Sequence, residues 1–283
     1  MPRSTHMPIL SPMTRTLTAL ALLVAAGCGG APDAGQSTGG AASGGVGVGV
    51  GLATAPFYVL DLPTGKLTTL VNATATAPGY ATDTVLFRRI TGQGDDYFIA
   101  TLELTQQQWA RLAGPASTPW NNLVPAPSWH AAAVAANKPA FNISYDAVTT
   151  AIATYNASHG TKLGLPNDAE WAYACAAGSS ATWSWGAATG APAALANLAV
   201  VRESQLGTIG PRSVGGTQAN AFGLYDMHGN VWEWTSPGTH VRGGSWRDPA
   251  WAARTANQAG DANYDVDGGV AHALVGVRLT IKP

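Results

Sequence analysis

Apolar positions cluster early in the chain into short runs broken by turn formers. Residues 57–62, "FYVLDL", and residues 67–70 flank Pro-Thr-Gly-Lys, which predicts two strands around a tight turn. Further strands are predicted at residues 84–90 and 97–103. The pattern then changes period. Thr105 opens "TQQQWARLAG", with Gln108 three residues on and Gly114 as a stop, the signature of a capped helix. Ser144 opens a second helix in which Val148, Ile152 and Tyr155 mark one face and Gly160 ends the run. Asn167 opens a third, "NDAEWAYACAAG". Glu170 completes a capping box, Trp171, Ala174 and Cys175 share a side, and Gly178 terminates it. Beyond Gly178 helical periodicity fades, and short strands with long loops are expected to the end. No internal repeat is seen.

The first 52 residues follow a different rule. Arg3 and Arg15 precede the apolar run "LTALALLVAAG", which ends in small residues and Cys28. This is a secretory signal pattern over residues 1–27, too short to cross a bilayer comfortably. "VAAGC" resembles a bacterial lipobox, so Cys28 is expected to carry a diacyl anchor on its sulfur. The alternative is ordinary signal cleavage beside an incidental cysteine. Residues 28–52 then read as a flexible Gly/Ala/Ser tether with a reach on the order of 25–30 Å. The expected product is an exported, membrane-anchored lipoprotein. It meets the membrane through its lipid alone, and a single domain with an N-terminal hairpin spans residues 53–283.

Composition narrows the chemistry. Charged residues are 11% of 283, while Gly (34), Pro (18) and Trp (10) are abundant. Such a chain suits a loop-rich globular fold rather than a helical bundle. A net charge of −1 leaves no basic footprint for nucleic acid. The two cysteines are Cys28 and Cys175. With Cys28 lipidated, Cys175 has no disulfide partner and is most simply a small buried hydrophobe. Stability must then come from packing and, if one is bound, a metal.

The densest chemistry lies in "GLYDMHGNVWEWTSPG", residues 223–238. Asp226 and Glu233 stand seven apart, with Gly229 permitting a sharp turn and carbonyls between them. Hard cations suit such oxygens, calcium above all. The equal alternative has Asp226 capping a turn and Glu233 in a salt bridge with an arginine. His228 has no partner at zinc spacing. The pairs Trp183/Trp185 and Trp232/Trp234 place two indoles on one side of an extended chain, and core packing is the simpler role for most of them. Nucleophile-elbow, phosphate-loop and dinucleotide motifs are absent.

The segments "ELTQQQWARL", "LGLPNDAEWAYACAAG", "WSWG", "ANL", "NAFGLYDMHGNVWEWT", "VRGGSW", "AAR" and "VGVRL" follow one another in an order that resembles the formylglycine-generating enzyme (sulfatase-modifying factor) family, from about Val85 onward. The resemblance implies an α+β fold, a loop-rich variant of the C-type lectin-like fold, with the hairpin outside the match. It implies structural calcium held by Asp226 and Glu233 side chains with the Gly229 and Val231 carbonyls. A second implied site begins at Asn197 and the Leu198 carbonyl. Its acidic partner falls on Leu206, which cannot ligate, with Glu203 as a possible substitute.

The resemblance breaks at the catalytic centre. Active members carry two cysteines after "GGS-aromatic" that bind copper(I), an ion that requires soft thiolates. The matching positions in "GGSWRDPAWAAR" are Asp248 and Ala253. An iron-dependent branch uses histidines on an added helical domain, which this chain lacks. Neither copper nor iron is therefore expected. The segment holding Ser245, Trp246, Arg247, Asp248, Trp251 and Arg254 runs on to Asn257, Gln258, Asn263, Tyr264 and Asp265. Its rigid aromatics and adaptable amides suit binding of a protein or small ligand. A solvated covering loop is the competing reading. Some relatives are retroelement-diversified variable proteins, several of them surface lipoproteins, that vary in this segment. The expectation is a non-catalytic, calcium-stabilised binding module. The runner-up is an oxidoreductase of the same family with altered chemistry.

Overall fold

The computed structural model describes residues 55–282, apart from 189, 208, 239 and 260–270. Cys28, the signal segment, the tether, and Asn263, Tyr264 and Asp265 all lie outside the described residues.

Strands β1 (Phe57–Asp61) and β2 (Lys66–Leu70) pair antiparallel around the expected turn, with Asp61 opposite Lys66. The turn is locked locally. The Asp61 carboxylate accepts from the Thr64 N–H at 3.0 Å, and Gly65 takes the left-handed φ of 68° that a side chain resists. Burial alternates along β1, as a strand with one buried face requires. β1 also pairs with β3 (Thr84–Ile90), so the hairpin extends the body's own sheet.

β4 (Tyr97–Ala100) is buried at every residue. The reason is a core on each face. Phe98 and Ala100 enter the main core, while Tyr97 and Ile99 pack with Ile90, Trp171, Cys175 and Met227 on the other side. The strand is three residues shorter than its apolar run predicts. Past Ala100 the Thr101 N–H still donates to the Leu86 carbonyl at 2.8 Å, and Glu103 then turns a buried carboxylate onto the Val231 N–H. The completed sheet has the order β2-β1-β3-β4-β10-β5, where β5 is Leu163–Gly164 and β10 is Thr280–Ile281, and all its pairs are antiparallel.

Three helices form where their caps place them. In α1 (Gln106–Ala113) the Thr105 hydroxyl accepts from the Gln108 N–H, and the Gln108 side chain accepts from the Thr105 N–H. After a short α2 (His130–Ala133), α3 (Tyr145–His159) starts at Ser144 and ends on Gly160 at φ 65°. In α4 (Asp168–Ala176) Asn167 and Glu170 close the second box. Its stop is Ala177, left-handed at φ 48°, one residue before the expected Gly178. A one-turn α5 (Pro192–Leu195) follows.

The remainder is loop threaded through a small second sheet. Its order is β8-β7-β6-β9: Gln258–Ala259, Val241–Arg242, Trp232–Trp234 and Val275–Gly276. β6 and β9 run parallel, the others antiparallel. β6 carries the densest motif into the centre of the molecule, with Trp232 and Trp234 both buried. Among the described residues, no helix is long and apolar enough to cross a membrane.

Candidate functional site

The 226–233 loop reverses sharply. Asp226 and Asn230 both adopt left-handed φ values, 56° and 65°, a region these two residue types tolerate better than most. Gly229 is a steric necessity: at φ 102°, a Cβ there would lie 2.1 Å from the Val200 carbonyl oxygen. The loop's carboxylates point inward. Asp226 is 2% exposed, and its oxygens accept from the Gly215 N–H at 2.5 Å and the Thr217 hydroxyl at 2.9 Å. Glu233 takes a fork of two guanidinium donors from Arg278, Nη2 at 2.7 Å and Nε at 2.9–3.0 Å. The Trp171 indole N–H completes it at 2.6 Å.

A third buried carboxylate, Glu103, accepts from Asn230 Nδ2 at 2.5 Å and from the Val231 N–H at 3.1 Å. Arg278, fully buried, is the positive charge for all three acids, and it also donates to the Ala100 and Tyr225 carbonyls. Burial opposes its charge, yet Glu233, Glu103 and Asp226 together hold its pKa above the ordinary value. Three acids against one guanidinium leave the cluster short of positive charge. Burial, reinforced by the neighbouring carboxylates, accordingly pushes the pKa of Glu103 well up. Burial likewise raises Asp226.

This arrangement sets the calcium expectation for Asp226, Gly229, Val231 and Glu233 beside its alternative, the turn cap and salt bridge. Calcium requires six to eight converging oxygens. Here all four carboxylate oxygens of Asp226 and Glu233 accept from protein donors, and a guanidinium stands as the counter-ion. Among the described residues, no three His, Cys, Asp or Glu side chains are grouped to hold a metal. As they stand, the residues are arranged as the turn cap and salt bridge, with every carboxylate oxygen already on a protein donor. Nor do Asn197 and Leu198 find an acidic partner in Glu203. Asn197 is exposed and its carbonyl accepts from the Gln218 N–H, while Glu203 accepts from the Ala250 N–H at 2.9 Å.

The segment after the second sheet's β7 is likewise sealed at its base. Asp248 is 4% exposed, and one of its oxygens accepts from the Trp232 indole N–H (2.8 Å), the Ser245 hydroxyl (2.5 Å) and the Ser245 N–H (3.1 Å). Ala253 is buried, and its carbonyl accepts from His228 Nδ1 at 2.7 Å. That contact fixes the tautomer: Nδ1 carries the proton, and Nε2 accepts from the Ser184 N–H and hydroxyl. Burial pushes His228 down to about 4. Cys175 lies beside it, Sγ to Nε2 3.6 Å, and burial raises its thiol to about 12. Spacing along the chain hid this neighbour of His228.

The binding residues expected from the sequence therefore divide. Ser245 and Asp248 are buried and bonded to one another. Asn257 is half-buried and donates to the Ala252 carbonyl at 2.8 Å. Among the described residues of the segment, Arg247, Trp251 (55% exposed), Arg254 and Gln258 are exposed. Trp246 lies beneath, edge-on to Trp129 with ring centroids 5.1 Å apart. Together with Arg202, Gln205, Ile209 and Arg247, these two indoles line an open cleft of 690 Å³, within the range of small-ligand sites. Trp129, Arg202 and Gln205 come from distant loops with no periodic pattern, and nothing in the sequence marks them. Of the indole pairs, Trp183, Trp232 and Trp234 are core as expected, and Trp185 is half-buried and stacks on Trp183.

Capped helices against a curled antiparallel sheet, followed by a loop-rich half around a small second sheet, define a formylglycine-generating-enzyme-like α+β protein. The structure of Treponema denticola variable protein 1 superposes with a TM-score of 0.56 at 19% identity, covering 75% of this chain and 98% of that one. PvdO from Pseudomonas aeruginosa gives 0.53 at 21% identity, covering 66% and 81%. Both likenesses concern the fold. The chain matches the family model described as "Sulfatase-modifying factor enzyme 1-like domain" over residues 76–282, and it belongs to that family. A curated relative, the formylglycine-generating enzyme of Mycobacterium tuberculosis (strain ATCC 25618 / H37Rv), is 45% identical over 78 residues, 25% of this chain. The match spans about a quarter of that enzyme's length (26%).

Proposed function

We propose that this chain is a non-catalytic binding module that recognises a ligand over its C-terminal surface. One observation carries the reading. At the two positions where the family resemblance calls for copper-binding thiols stand Asp248, whose carboxylate is bonded to Trp232 and Ser245, and Ala253, which has no donor side chain. Cys175, the one cysteine among the described residues, is sealed in the second core with its thiol raised to about 12. A buried thiol held that far from ionisation is no nucleophile near neutral pH, and a single cysteine cannot supply the pair of thiolates. The donor set does not fit copper(I), which requires soft thiolates.

What remains is a rigid base with chemically rich side chains above it. The Asp248 network fixes the "GGSW" turn, and this turn presents Arg247 outward while holding Trp246 against Trp129. Trp251 and Arg254 extend the same surface. A platform so supported loses little side-chain freedom on binding, which favours affinity. The anchored-lipoprotein reading belongs to the proposal through Cys28. So does diversification of residues 242–278 by a retroelement, as in variable proteins sharing this fold.

Incubation of the full chain with a Cys-containing sulfatase peptide, copper(I) and oxygen should give no formylglycine by mass spectrometry above a no-protein control. Product formation would overturn the reading. For the diversified version, a near-repeat of the DNA encoding residues 242–278 is expected beside the gene, and its absence would remove that part of the proposal.

A further inference from the structure

Two side chains that line the cleft between Trp129 and Trp246 each carry a polar atom without a hydrogen-bond partner. Trp246 is 3% exposed, and its indole N–H is buried without a hydrogen-bond partner. Gln205 Oε1 is also buried without one, although its Nε2 reaches the Trp246 carbonyl at 3.5 Å. Leaving either atom dry costs roughly 1–3 kcal/mol, and native folds keep such groups only where something completes them. Both belong to side chains that line the same cleft. One is an obligate donor and the other an acceptor.

The remaining wall gives the charge. Arg202 and Arg247 both line the cleft and both are exposed. Arg202 has an ion-pair partner in Glu203, but at 3.5 Å and with its own side chain 65% exposed that contact is weak. No acidic side chain lines the cleft among the described residues. Guanidinium groups favour planar, bidentate anions, carboxylates in particular. Trp129, Trp246 and Ile209 add apolar surface, with Ile209 63% exposed.

We infer that this cleft binds an amide-bearing carboxylate: an acid for Arg202 and Arg247, with an adjacent amide whose carbonyl accepts from Trp246 and whose N–H donates to Gln205. An amide unit offers one donor and one acceptor, the complement of the two orphaned atoms. Free N-acylated amino acids and acidic residues within a peptide share this chemistry. The inference rests on the binding-module reading and gives it a ligand class.

Isothermal titration of the full chain tests it with three probes: N-acetyl-L-aspartate, the capped tripeptide Ac-Ala-Asp-Ala-NH2, and its neutral counterpart Ac-Ala-Asn-Ala-NH2. At least one acidic probe should bind saturably with a Kd of about 1 mM or tighter, and the neutral one at least about tenfold more weakly. Preference for the free acid or the tripeptide identifies the source, and either supports the site. Arg247→Gln should weaken binding about tenfold. Trp246→Phe keeps a ring but removes the N–H, and should weaken binding about fivefold. Arg247 is exposed, so its variant keeps the melting temperature and separates lost binding from lost folding. Absence of saturable binding by both acids overturns the inference, as does equal binding of the neutral tripeptide or indifference to Arg247→Gln. The binding-module reading is judged separately, by formylglycine production.

Discussion

Two polar regions meet at the "GGSW" turn, and they differ in how fully their atoms are partnered. Beneath it, Glu103, Asp226, Glu233, Arg278 and Asp248 form a closed interior in which each side chain has protein partners. Beside it, two residues lining the Trp129/Trp246 cleft carry a buried donor and a buried acceptor with none. The contrast separates architecture from recognition. A saturated network has no valence left for a ligand and can only hold its surroundings in place. An unsaturated wall keeps its free energy for whatever arrives. The residues that look most like chemistry in the sequence, two acids and a histidine in one turn, belong to the first kind.

The sharpest way to break this comparison is Arg278→Met. It leaves Glu103, Asp226 and Glu233 without their shared cation, and loss of one partner from a buried ion pair costs about 3–5 kcal/mol. Urea denaturation should show a loss of that size or no cooperative fold at all. A loss below about 1 kcal/mol would mean that the acids have another counter-ion.

His228 comes next. Its folded pKa of about 4 lies below the 6.5 of an ordinary histidine, because burial disfavours the cation. Stability from this group is thus fully present above pH 6.5 and falls as pH drops through 4, by about 3 kcal/mol in total at pH 4. Glu103 and Asp226 act oppositely, since their raised pKa values favour the folded state as pH falls. The comparison must therefore be made against His228→Gln. Wild type should lose stability relative to that variant between pH 7 and 4, and parallel profiles would contradict the neutral buried imidazole.

Asp248→Ala removes the acceptor of the Ser245 N–H and the Ser245 hydroxyl, and a loss of about 2 kcal/mol is expected from these buried donors left unpaired. Thermal melting checks it. At the smallest end, a chelator should leave the melting temperature unchanged, because the 226–233 carboxylates are satisfied by Arg278, Trp171, Gly215 and Thr217. A clear drop would show that the loop closes on calcium after all. Trp251→Ala, at a 55% exposed site, should change stability by less than about 0.5 kcal/mol.

Local rules fixed much of the fold in advance. The capping boxes at Thr105/Gln108 and Asn167/Glu170, the hairpin at residues 57–70 and the strand at Thr84–Ile90 each depend on residues a few positions apart. Such interactions are legible because both partners lie in one window of sequence. The order of the family's motifs supplied the rest of the architecture.

Partnership across the fold was not legible. Arg278 meets Glu233 across 45 positions, Glu103 meets Val231 across 128, and Trp129 meets Trp246 from another loop. The sequence determined that Asp226 and Glu233 would carry charge into a tight turn, because residue type and spacing set that. Only the tertiary structure decided which cation answers them. A carboxylate takes whichever donor the packing brings within about 3 Å, and packing brings a guanidinium to Glu233 and a backbone N–H with a hydroxyl to Asp226.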